Sequence, residues 1–267
     1  MKYRKKYLYV SPVGRDGKPY LEKIITRFGH EEFDYLIMVY DQTTFHEEVF
    51  SLCEIVYDAS PLFHQVKKIA TPEKCRPYDY IFFWMDDIDI LDFDYRKFME
   101  LVVKCELDAA QPSLSSDSII SHKITENVPG IVGRYTDFVE EMVPVYTFRA
   151  WAKLWEMFDE TRNIWGWGYD LMTYSYCGLF RMGVIDQSIV RHMRKGSYHE
   201  KALDDFNEFK RRNWFHYFSQ GTVILKMEVA AGEQGAVLIK LVLHKFKTLV
   251  IPFIRPIFHR FKKIIAQ

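Results

Sequence analysis

Cysteine is scarce and badly placed for any structural role. Cys53, Cys75, Cys105 and Cys177 are the only four in 267 residues, and none forms a CxxC pair or a Cys/His metal spacing. That excludes a disulfide framework and a zinc module, and reads as reduced thiols of a cytosolic compartment. No stretch reaches the ~18 uninterrupted apolar residues of a membrane-spanning helix. The apolar run after the basic residues 1–6 stops at Ser11 and Pro12, too soon for a signal peptide. Formal net charge is zero, which excludes a general nucleic-acid binder, so no nucleic acid is expected as a partner. Apolar and aromatic residues are abundant. At 48% hydrophobic and 16% aromatic, the chain can bury one substantial core, or one core with a smaller appendage.

One stretch organises the rest. Residues 80–85 contain no polar side chain, and the run ends at Asp86, Asp87 and Asp89. An unbroken apolar run suits a strand covered on both faces, as in a parallel sheet flanked by helices. Such sheets bind ligands beyond the carboxyl ends of their strands. Clustered carboxylates repel by about 1 kcal/mol per pair in water at ~4 Å, and by about 4 at an effective dielectric of 20. A hard ion such as Mg2+ or Mn2+, completed by substrate phosphates, would remove that cost. The alternative is a strand-ending turn in which the Asp side chains cap backbone groups.

Around this stretch the pattern alternates. Residues 6–10 predict a first strand and 11–17, with Pro12, Gly14 and Gly17, a loop. Leu21, Ile24, Ile25 and Phe28 predict a helix that Gly29 stops. Residues 34–40 and 55–57 predict strands ending in Asp41 and Asp58, with a helix over 61–70. Alternating strands and helices imply an α/β fold with a mostly parallel sheet. Asp94 can cap a helix carrying Tyr95, Phe98, Met99 and Val102 on one face, and 148–159 repeats the stripe with Trp151, Leu154, Trp155 and Phe158; both read as core. Between them lies a predicted loop from Gln111, Pro112 and Ser113 through a Ser-rich segment to His122, a residue type that is more often structural than functional. Trp165-Gly166-Trp167-Gly168-Tyr169-Asp170 offers flat rings, close backbone approach and an acid, which suit a sugar site. The same residues could form a tight turn whose tryptophans fill the core. Residues 183–190 predict a strand delivering His192.

The ordered set of motifs at 78–87, 108–125, 138–155 and 167–192 resembles a plant and bacterial family labelled lysine-ketoglutarate reductase trans-splicing related, itself similar to GT-A fold glycosyltransferases. The label is not an activity. The family's Asp-acid-Asp triplet falls on Met85, Asp86 and Asp87, so Met85 departs from it. The resemblance implies a GT-A-like catalytic domain over 1–200 and a metal, Mn2+ or Mg2+, held by Asp87 and His192, with Asp89 supplying the ligand that Met85 cannot. It implies donor contacts from Asp86, Asp41 and Gln111, and acceptor contacts from Trp165, Trp167, Glu140 and His122. Gly166-Trp167-Gly168 with Asp170 is similar to a Gly-Trp-Gly plus acid motif whose acid is the catalytic base. The implied function is inverting transfer of a sugar from a nucleotide-sugar donor to a glycan or lipid-linked acceptor. A degenerate transferase fold acting as a scaffold, or an aspartate-nucleophile phosphatase built on Asp87 and Asp89, are the competing expectations.

Beyond a connecting segment, 201–235, the residues 236–267 contain seven Lys and Arg and no Asp or Glu. Ile239, Val242, Leu243, Phe246, Leu249 and Val250 recur fifteen residues later as Ile254, Ile257, Phe258, Phe261, Ile264 and Ile265. The spacing predicts two basic amphipathic helices separated at Pro252 and Pro256, and with them a tail that docks on an anionic membrane surface. The expected location is therefore cytoplasmic, peripheral on the inner membrane face.

Overall fold

The computed structural model describes residues 6–178, 181–194, 200–212 and 223–227. Four parallel strands form one half of its sheet, in the order β3 (Glu54–Tyr57), β2 (Phe33–Val39), β1 (Tyr7–Val13), β4 (Tyr80–Phe83). The helix α1 (Lys18–Phe28) links the first two, and α2 (Leu62–Ile69) and the short α3 (Pro72–Cys75) precede β4. Beyond β4 the sheet continues through β8 (Val145–Thr147), β6 (Ala109–Leu114), β9 (Met182–His192), β7 (Gly133–Thr136) and β10 (Val223–Met227). A two-residue strand, β5 (Ile88–Asp89), pairs with the end of β9. Since β8 is antiparallel to both β4 and β6, and β9 is parallel to β6, the strands β1 to β4, β6 and β9 all point the same way. Their carboxyl ends share one edge, where a ligand site belongs.

Helices cover both faces, which is why β1 is buried at every position. One core, with Tyr9, Phe33, Phe82, Trp84 and Phe93, lies under α1 and α4 (Tyr95–Lys104). The other, with Phe63, Phe83, Trp151 and Tyr169, lies under α2, α5 (Phe148–Met157), α6 (Tyr169–Tyr176) and α7 (Glu200–Arg212). The Asp94 side chain caps α4 by accepting from the Arg96 and Lys97 amides.

The first residues of two predicted loops lie in strands. β1 runs through Pro12 to Val13 although proline lacks a ladder N–H. In a parallel strand alternate residues face opposite neighbours: Val13 accepts from Tyr40 of the β2 side, and Val10 from Trp84 of the β4 side. Pro12 therefore faces the β4 side, where pairing has already stopped at Val10 and Phe83, and no bond is lost. Likewise Gln111-Pro112-Ser113 lies inside β6, fully buried, with the register irregularity beside Pro112 absorbing the missing donor. The segment 201–235 contributes α7 and β10, and β10 joins the sheet through β7. The repeat-bearing residues 236–267 lie outside the described residues. No described helix is long and apolar enough to cross a membrane.

Candidate active site

At the open edge, Asp86 ties four segments together. Its Oδ2 accepts from the Gly14 amide (3.0 Å) and the Tyr40 hydroxyl (2.7 Å), and its Oδ1 from the Arg194 guanidinium (2.7 Å). Thus the ends of β1, β2, β4 and β9 meet on one carboxylate. Burial pushes that carboxyl up, against the lowering effect of its hydrogen bonds. The 14–17 turn sits directly over it: a Cβ on Gly17 would overlap the Asp86 side chain. Only glycine fits this close approach. Arg194 also lies 3.5 Å from Asp16, and Asp41 holds the same turn by accepting from the Arg15 amide at 2.9 Å. Arg15, Lys18 and Arg194 lie in this corner, with Lys18 paired to Glu47 and Arg194 to Asp86 and Asp16.

The neighbouring residue faces a histidine. Asp87 Oδ2 lies 3.0 Å from His192 Nε2, and His192 Nδ1 lies 2.7 Å from the Ile119 carbonyl oxygen. A carbonyl can only accept, so Nδ1 carries the hydrogen, and in the neutral ring Nε2 presents a lone pair to the Asp87 carboxylate. Two facing lone pairs are stable only with a proton or a cation between them. Burial lowers the basicity of His192, but the Asp87 hydrogen bond and charge outweigh it, and the imidazole is held above its ordinary value. Asp87 Oδ1 is buried with no hydrogen-bond partner. The pair therefore fits a divalent ion: adjacent ligands of an octahedral ion at about 2.1 Å lie about 3.0 Å apart. Among the described residues no group of three His, Cys, Asp or Glu side chains forms a metal cage. Waters and phosphate oxygens would complete the sphere, as is usual for Mg2+. The Ser-rich loop fixes the ligand's orientation: Ser118 accepts from the His192 amide at 3.2 Å, and the Ile119 amide donates back to the His192 carbonyl at 3.1 Å.

Three further acids, Asp170, Glu140 and Glu141, influence one another through their charges. Gly166 (φ +79°) and Gly168 (φ +92°) take left-handed conformations that reverse the chain and start α6, placing Asp170 in its first turn. Asp170 keeps some accessible surface but is walled by protein, and burial pushes its carboxyl up to about 7. Burial, then the charge of Asp170, pushes Glu140 up to about 8. Glu141 is raised well above the ordinary range by the same two causes. Glu140 is 4% exposed, and its Oε2 has no hydrogen-bond partner. The fields of His192 and Asp87 also reach Glu140, so it stands between the two halves of the site.

Other predicted residues have different surroundings. Asp89 turns away from the Asp87 and His192 pair, bonding Lys23 at 2.5 Å and the Leu91 amide at 3.2 Å. In this arrangement Asp89 is engaged with Lys23, whereas Asp87 is the acid that meets His192. Gln111 is wholly buried and offers no surface to a donor; its Oε1 accepts from the Glu140 amide at 2.6 Å and so sets the depth of that acid. His122 packs against Phe138 at 4.6 Å between ring centroids, and burial lowers its basicity. Trp165 is half-buried, whereas Trp167, between the two glycines of the turn, is 37% exposed. Tyr40, Arg194 and Glu141 were not predicted.

The fold matches glycosyltransferase structures. GalNAc-T7 crystallised with UDP, GalNAc and Mn2+ superposes with a TM-score of 0.59 at 9% identity, over 79% of this chain and 48% of that one. The chain thus spans about half the length of that enzyme. S. aureus TarS 1-349 gives 0.53 at 10% identity over 92% of this chain and 73% of that one. Its complex with UDP-GlcNAc gives 0.53 at 10% over 91% and 73%. At such identities the likeness establishes a GT-A-like fold. The sequence has no match among curated proteins. The reductase-derived label has no counterpart in these matches. Residues 1–134 and 132–217 match one family profile, and the chain belongs to that family, described as "Protein of unknown function (DUF707)".

Proposed function

We propose that the chain is a metal-dependent glycosyltransferase that moves a sugar from a nucleotide-sugar donor to a hydroxyl of a glycan or lipid-linked acceptor, with inversion. The observation that carries this reading is the Asp87 and His192 pair with facing lone pairs, linked through the field at Glu140 to a second acid, Asp170. GalNAc-T7 and TarS, which share the fold, were crystallised with UDP or UDP-GlcNAc. Asp87 and His192 would hold Mn2+ or Mg2+, which when bound offsets the charge developing on the leaving diphosphate. Arg194 and the amides of the 14–17 turn line the diphosphate corner. Asp41, at the exposed end of β2, stands where the nucleoside would lie. Trp167 offers a ring face to the acceptor, with Trp165 behind it.

Asp170 accepts the proton of the acceptor hydroxyl as that oxygen attacks the anomeric carbon. The bond from that carbon to the phosphate oxygen breaks, and its electron pair leaves with the nucleoside diphosphate. One base and one direct displacement give the inverted anomer. A carboxyl near 7 is well matched to a base at neutral pH. The basic tail at 236–267 would keep the enzyme at the inner membrane face, close to lipid-linked acceptors.

Turnover of a panel of nucleotide sugars with Mn2+, read as free nucleoside diphosphate, tests the activity. One donor should be consumed, and chelation should stop it. No release from any donor, with or without acceptors, would leave a scaffold, the reading favoured by Met85 in the acidic motif.

A further inference from the structure

The two acids that end the central strand meet the two ends of one short segment, 192–194. Asp87 faces His192 at 3.0 Å, Asp86 faces Arg194 at 2.7 Å, and between them the Met193 amide donates to the Asp87 carbonyl at 2.9 Å. The guanidinium and the metal pair are thus fixed side by side. Asp86 itself is covered: its side chain is 10% exposed and Gly17 closes over it. Its charge is shared with the Gly14 amide and the Tyr40 hydroxyl, so it aims the guanidinium more than it neutralises it. Of the other donors in this corner, the amides of Gly14, Arg15, Gly17 and Lys18 already donate within the chain, and the Lys18 ammonium is held by Thr44 and Glu47.

Arg194 is different. A guanidinium has five N–H donors in a rigid plane. Nη2 is bound to Asp86, Nη1 faces only Asp16, 3.5 Å away on a side chain that is 77% exposed, and the buried Nε has no hydrogen-bond partner. An exposed ion pair of that kind contributes little, and an anion of higher charge can replace it. Resting on the transferase reading above, we propose that Arg194 binds the donor diphosphate independently of the metal, exchanging Asp16 for a phosphate, and that Asp86 is the positioning residue that aims it. The ion and Arg194 then share the charge that collects on the leaving group, one through Asp87 and His192, the other through a guanidinium that is in place before any ion binds.

The test is calorimetric titration of the full chain with UDP, GDP, CDP and ADP and with the matching monophosphates, first in EDTA and then in Mn2+. One diphosphate should bind without metal at least about tenfold more tightly than its monophosphate. Arg194→Ala should bring that ratio close to one, Arg194→Lys should restore part of it, and the gain from Mn2+ should survive in both. Unchanged monophosphate affinity reports that the variants are folded. Asp86→Asn should lower the ratio, and Asp86→Asn/Arg194→Ala should lose no more than Arg194→Ala alone, because Asp86 acts through Arg194. A diphosphate preference that survives Arg194→Ala, or losses from the two single variants that add, would overturn the proposal. Diphosphate binding with Mn2+ but no metal-free preference defeats this inference alone, and no nucleotide bound under either condition defeats the transferase reading with it.

Discussion

Asp170 is asked to be both enclosed and ionised, and the two demands have opposite pH signatures. As a base it works deprotonated, so turnover should rise with pH and level off above about 7, to which its carboxyl is raised by burial. Asp170→Asn should lower turnover at least ~100-fold, the lower end of general-base contributions, while leaving nucleotide binding nearly intact. Stability runs the other way. The folded carboxyl is raised from 3.8 to about 7, so the folded state holds the proton more tightly. That contribution is complete below the unfolded value and is lost as pH climbs through the folded one. The Asn variant has no such loss, and its urea midpoint should overtake the wild-type midpoint as pH rises from 4 to 8. A constant difference across that range would mean that Asp170 is not enclosed as described.

At the scale of elements, the turn before α6 and the network behind β9 hold the site in shape. A Cβ on Gly166 would overlap the ring of Phe63, which is 2% exposed, and one on Gly168 would overlap the half-buried Phe206. Both glycines have positive φ, so Ala costs ~1–3 kcal/mol at either from backbone strain. Phe206 can yield and Phe63 cannot, so denaturant titration should show Gly166→Ala as the more damaging change; the reverse order would contradict the packing. Behind β9, Arg134 pairs with Asp186 at 2.8 Å and donates to the Ile124 and Glu126 carbonyls, fixing the loop that carries Thr125 beside Glu140. Asp186→Asn should cost about 3–5 kcal/mol by stranding the guanidinium, and Arg134→Met/Asp186→Leu together less, measured the same way. Sequence reasoning found the strand ends because apolar runs that stop at acids are a local signal. It placed Gln111-Pro112-Ser113 in a loop because Pro and polar residues look alike whether a loop or a sheet irregularity receives them. Arg194 and Tyr40 escaped it because their partner, Asp86, lies 108 and 46 residues away, and only the strand order brings them together.

For the whole molecule, α/β alternation and the carboxyl-edge rule were legible in the sequence, since each follows from the order of elements. The antiparallel β8, inserted between β4 and β6, was not, because three residues carry too little pattern. The edge rule makes the six parallel strand ends one site, and the basic residues 236–267 lie outside the described residues. If they dock on membranes, the full chain should pellet with anionic liposomes more than a chain ending at Gly232, and salt should weaken it. Equal pelleting, or pelleting indifferent to lipid charge, would contradict a basic anchor. The central claim is that Asp87 and His192 build a divalent-ion site that receives a nucleoside diphosphate. It is tested most directly by calorimetric titration of UDP into the protein with and without Mn2+, alongside His192→Ala. Mn2+ should tighten UDP binding at least about tenfold, and His192→Ala should abolish that gain while leaving the metal-free affinity as it was. UDP binding of equal strength with and without the ion, or a metal effect untouched by His192→Ala, would contradict the account.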